Sequence, residues 1–180
     1  MIWESSYWKD DLLALSEKIN NKYRKVIFSD ETAVEFEKDI MLALYSVRKL
    51  EEASKLSSST KGIQLEVKSY KNLKNVTKLN WHKIDELFDL DNPKIEKLSA
   101  DKLYNQIIHS YIFLISTDET GVIDGYFFCS DRMRNRKLYY IELMELERFI
   151  SIVGNDYPTK EIFDFDESIQ DYRIYSETKK

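Results

Sequence analysis

KLYNQIIHSYIFLI, residues 102–115, is the stretch whose reading decides the fold. Its first half is helical by pattern. Ser99 suits an N-cap, Asp101 sets a negative charge against the open amides of a first turn, and Leu103, Ile107 and Ile108 recur at helical spacing. Its second half, Tyr111 to Ile115, is β-branched and aromatic, and a short apolar run of that kind fits either a helix entering the core or a switch to a strand.

Working outward, Trp8, Leu12, Leu15 and Ile19 give residues 4–23 an amphipathic helical period. A longer helix is expected over residues 30–55, capped at Asp30 and carried by Phe36, Ile40, Ala43, Leu44, Val47 and Leu50. The SSST run and Gly62 end it. Residues 63–67 alternate as a half-buried strand does, and residues 81–90 read as a short helix that stops before Pro93. Downstream, residues 118–121 form a turn, and residues 122–129 and 138–143 pair as an antiparallel hairpin with a basic tip at residues 132–137. A last helix over residues 145–153 closes at Gly154. The expected fold class is α+β: a helix bundle of long antiparallel helices with a small antiparallel β-hairpin sheet. Residues 1–158 form one helical/β domain, and residues 159–180 an extended acidic tail carrying Phe163, Phe165, Tyr172 and Tyr175.

At 180 residues and 43% hydrophobic, the chain is long enough for one ordinary core. Its single cysteine, Cys129, excludes an internal disulfide framework, and the strand context reads it as a packing residue. No run approaches the roughly 18 apolar residues of a membrane span, and the acidic start MIWESSYWKDD lacks a signal-peptide core, so a cytoplasmic protein with no membrane partner is expected. With four glycines and neither a glycine-rich phosphate loop nor a His-Glu-x-x-His pattern, no cofactor and no metal are expected.

Asn105 and His109 lie four residues apart and share a helix face, so both can address one ligand. Histidine is the side chain whose ordinary pKa, about 6.5, suits proton transfer near neutrality. The plainer alternative is a histidine that hydrogen-bonds to the core. Lys61, Lys68, Lys71, Lys74, Lys78 and Lys83, with Tyr70 and Trp81 interleaved, form the one clearly basic segment and can hold phosphates and stack bases, or else make a solvated loop. His82 has no base or nucleophile beside it.

Asn105, His109 and Tyr111 together resemble the signature of the HEPN superfamily, the helical domains of many toxin-like ribonucleases. In that signature an arginine precedes a polar residue, a histidine follows, and one branch adds a tyrosine. This chain departs from it at Tyr104, which takes the arginine position, while Lys102 stands where some members space the arginine further ahead. The resemblance implies metal-independent RNA cleavage at a site shared across a dimer, with His109 as acid or base and Tyr111 beside it. Arg48, on a polar stripe with Glu52 and Lys55, is the candidate for the missing cation, and its alternative is a surface ion pair with Glu52. Two functions are carried forward. The first is a non-enzymatic, HEPN-like interaction module that binds another protein or a second copy of itself. The alternative is a HEPN-type ribonuclease or RNA-binding protein using His109 with Asn105, Arg48 and Tyr111.

Overall fold

The computed structural model describes residues 2–178. The contested stretch divides at His109. Residues Ala100–Ile108 form a helix with Ser99 at the N-cap position, though the Ser99 hydroxyl makes no capping bond, and Ser110–Thr117 form a strand. The strand wins because its β-branched and aromatic side chains alternate between two apolar layers, Phe113 and Ile115 on one side, Ile112 and Leu114 on the other.

Around that switch the elements run α1 (Ser6–Lys18), α2 (Asp30–Glu52), α3 (Ser58–Lys61), β1 (Gln64–Lys71), α4 (Ile84–Leu87), β2 (Lys94–Ser99), α5 (Ala100–Ile108), β3 (Ser110–Thr117), β4 (Ile123–Ser130), β5 (Lys137–Glu142), α6 (Leu143–Gly154), β6 (Lys160–Asp166) and β7 (Asp171–Glu177). The sheet is five-stranded, in the order β2-β1-β5-β4-β3, with every pair antiparallel. This corrects the expected helix bundle with a small hairpin: the protein is α+β, but the sheet is its central layer. Two elements account for the difference. β3 is a strand, and KIEKLS (β2) pairs with β1 along its length although Lys94, Glu96 and Lys97 are charged and fall on both faces. The helix expected over residues 81–90 shrinks to the single turn of α4.

One face of the sheet carries α1, α2, α5 and α6. Phe36 from α2 packs edge-on against Tyr23, at 5.1 Å between centroids, and against Tyr126, at 5.9 Å, and Phe113 stacks on Tyr126 at 4.8 Å. α2 begins at Ser29, whose hydroxyl accepts from the Thr32 N–H at 3.2 Å, one residue ahead of the expected cap. On the opposite face the segment 72–93 lays Val76, Leu87 and Phe88 over Tyr70, Ile112, Cys129 and Leu138. Gly125 lets the Tyr140 ring lie close over the sheet, since a Cβ there would stand 2.6 Å from the Tyr140 hydroxyl.

The expected extended tail is instead a two-stranded hairpin, β6 and β7, registered from Lys160 opposite Glu177 to Asp166 opposite Asp171. Lys179 and Lys180 at its end, and Met1 at the other terminus, lie outside the described residues. No helix among the described residues is long and apolar enough to cross a membrane.

Candidate binding surfaces

The residues singled out around His109 do not converge. Asn105 and His109 are both exposed on α5, and neither side chain makes a hydrogen bond or ion pair among the described residues. His109 closes the helix only through its backbone N–H, 3.3 Å from the Asn105 carbonyl. The core-bonded histidine is therefore corrected to a solvated one. Tyr111 lies beyond the helix in β3, half-buried, with the Arg134 guanidinium 4.3 Å from its ring centroid and its hydroxyl buried without a partner. Arg48 donates to Glu52 at 2.8 Å, the surface pair that its i, i+4 spacing allows.

Tyr104, at the arginine position of the resemblance, is a packing residue. Burial, with Glu51 and Asp101 nearby, pushes its phenol up to about 12. Burial likewise raises the Glu51 carboxyl above its ordinary value, opposed by the Tyr104 hydroxyl. Cys129 is buried and its thiol is pushed up to about 12, which makes it a packing residue rather than a nucleophile.

The basic segment also splits. Lys68 turns to the open part of the sheet, where it pairs with Glu142 at 3.0 Å and sits over the Tyr140 ring at 5.2 Å. The groove there, about 660 Å³, is lined by Lys68 together with Glu66, Lys97, Glu145 and Arg148, whose charges offset one another, and by none of Asn105, His109, Arg48 and Tyr111. Lys71, Lys74 and Lys78 stay together on the opposite end of β1. There the 72–83 loop is fastened to the β4–β5 turn by the Asn72 N–H to the Arg136 carbonyl at 3.1 Å and the Val76 N–H to Asn135 Oδ1 at 2.7 Å. Trp81 is half-buried under this loop, edge-on to the exposed His82.

The feature the sequence reading missed is the β6–β7 arm. Because opposite residues share a face, Phe163, Phe165, Tyr172 and Ile174 line one side, with Tyr172 edge-on to Phe165 at 5.1 Å. Charged residues dominate the other side. Phe163 and Tyr172 are each 56% exposed and Phe165 48%, so the aromatic side is not docked on the body. The root is held: the Ser176 N–H donates to Ser58 Oγ at 3.1 Å, and the Thr178 hydroxyl to Asp156 Oδ1 at 2.6 Å. The signal was present in the alternation of KEIFDFD and DYRIYSE about a polar turn.

Compared with known protein families, with curated proteins and with solved structures, the chain matches none.

Proposed function

We propose that the chain is a non-enzymatic binding module whose β6–β7 arm grips a protein partner. One observation carries this reading. A lone two-stranded ribbon is marginal in water, yet this one holds an aromatic face out to solvent without a third strand or a helix to cover it. Aromatic side chains supply large contact area at little entropic cost, which makes such a face suited to binding another surface.

The ribonuclease reading has one observation in its favour, the exposure of Asn105 and His109. Against it stand the ion pair that engages Arg48 with Glu52 and the absence of Asn105, His109, Arg48 and Tyr111 from the lining of the 660 Å³ groove.

The test is a photo-crosslinking residue at Phe165, compared with the same residue at the exposed Trp3. The module reading expects, in cells, one discrete protein adduct from position 165 that disappears when Phe163 and Tyr172 are alanine. No adduct above the Trp3 control would overturn it.

A further inference from the structure

The central sheet ends on β2 at one side and on β3 at the other, and the β6–β7 ribbon leaves both of its strands open. Three of these open strands carry charges along their length, KIEKLS in β2, KEIFDFD in β6 and DYRIYSE in β7, and charge discourages pairing with another chain. β3 differs. It reads SYIFLIST, with no charge and no proline. Its main chain bonds to β4 and, among the described residues, to no other backbone segment, so the N–H and C=O groups that point away from β4 have no main-chain partner. The register is irregular at Ser110/Ile112 and Ser116/Thr117, the two ends of the strand, and unbroken from Ile112 to Ser116. Along that run Ile112 is buried and the other side chains are half-buried. An uncharged, apolar edge of this kind is a template for one more strand.

The order of its side chains says which strand. Ser110-Tyr-Ile-Phe-Leu-Ile-Ser116 reads nearly the same in both directions about Phe113. Laid antiparallel on itself, it sets Ser110 opposite Ser116, Tyr111 opposite Ile115 and Ile112 opposite Leu114, with Phe113 at the centre. Hydroxyl meets hydroxyl, apolar meets apolar, and no charge is desolvated. A two-fold axis perpendicular to the sheet produces this register and keeps the helices of both copies on one side. Phe113, stacked on Tyr126 at 4.8 Å and 6.5 Å from Phe36, then meets its own copy and carries the ring layer across the junction.

We infer that a second copy of this chain pairs with β3 edge to edge, antiparallel about Phe113, to make one sheet continuous through both molecules. The contact is isologous and closes at two molecules. It uses no part of the arm, so it stands or falls apart from the identity of the arm's partner.

Sedimentation velocity of the purified full chain tests it. Wild type should form a dimer and nothing larger. Ser110→Lys with Ser116→Lys sets lysine against lysine at both ends of the pair and should leave a monomer, as should Ser110→Glu with Ser116→Glu. Mixing those two chains should restore the dimer. Ser110→Lys with Ser116→Glu brings opposite charges together in the same register and should dimerise on its own, with circular dichroism checking that every chain is folded. Association that survives the paired lysines, a monomer in wild type or in the Lys/Glu chain, or a ladder of larger species overturns the inference. So does association abolished by Phe163→Ala, Phe165→Ala and Tyr172→Ala, which would place the contact on the arm. Should the charged chains fail to fold, wild type alone decides by hydrogen exchange at the concentration of the dimer. Consecutive amides from Ile112 to Ser116 should all be protected, whereas an open edge protects only alternate ones, and alternation overturns the inference.

Discussion

The buried ammonium of Lys9 donates to the main-chain oxygen of Asp156, and the carboxylate of the same Asp156 accepts the Ser57 N–H at 2.6 Å and the Thr178 hydroxyl at 2.6 Å. Lys9 also donates to the Lys55 carbonyl at 2.9 Å and lies 4.2 Å from the Tyr157 ring centroid. α1, the ends of α2 and α6, the start of α3 and the root of the arm thus meet on these two residues. Burial pulls the Lys9 pKa below its ordinary value, and Asp156 opposes that pull.

Lys9→Met fills the space but leaves the Lys55 and Asp156 carbonyls without their donor. Each unsatisfied buried acceptor costs about 1–3 kcal/mol, so unfolding in urea should show a loss of at least about 2 kcal/mol. An unchanged midpoint would mean that water replaces the ammonium.

Acid should weaken the junction between α1 and α2. Lys18 sits 2.6 Å from Glu35, Lys22 also pairs with it, and the two ammonium groups hold the Glu35 carboxyl down at about 2 against an ordinary 4.5. A folded-state pKa below the unfolded one gives stability that is present above pH 4.5 and lost as the pH falls towards 2. Glu35→Gln should therefore flatten the decline of the urea midpoint in that window and leave its slope above pH 5 unchanged. A decline as steep as in wild type would remove Glu35 from the account.

Tyr126 is wholly buried among Phe36, Phe113 and Phe128, and its hydroxyl has no hydrogen-bond partner. Tyr126→Phe should stabilise the protein by about 1 kcal/mol, read as a thermal midpoint raised by roughly 2–4 °C. A lower midpoint would reveal a partner for the hydroxyl.

Gly125→Ala should cost about 1–3 kcal/mol in urea unfolding, because its Cβ meets both the Ile141 carbonyl and the Tyr140 ring. Tolerance would show that Tyr140 swings away freely.

His109→Ala should change stability by less than about 0.5 kcal/mol, as an exposed side chain without a partner. In chelator, wild type should cleave a structured RNA no faster than this variant. Faster cleavage by wild type would favour the ribonuclease over the module.

The helices were legible in the sequence because Phe36, Ile40, Ala43, Leu44 and Val47 repeat at one period with one buried face. The sheet was only half legible. Tyr111–Ile115 is apolar on both faces because β3 lies between two apolar layers, so alternation vanishes where it would have identified a strand. β2 hides its pattern differently: only Leu98 faces the core firmly, and its charges are those of a sheet edge. The HEPN-like site was read from spacing alone. Spacing says which residues share a helix face, but not that the chain leaves the helix at His109 and carries Tyr111 into β3, or that Glu52 holds Arg48. The arm was read as an extended acidic tail, whereas its two runs pair as a ribbon whose rings are about half exposed.

The most direct measurement of the central claim is the protein adduct formed by a photo-crosslinker at Ile174, compared between wild type and the Phe163→Ala, Phe165→Ala, Tyr172→Ala variant, with thermal melting of both. The account predicts that the adduct disappears while the melting of the body is unchanged, because the ring contacts of these residues are with one another and each is about half exposed. An adduct that persists in the variant, or a body that melts earlier without the rings, would contradict it.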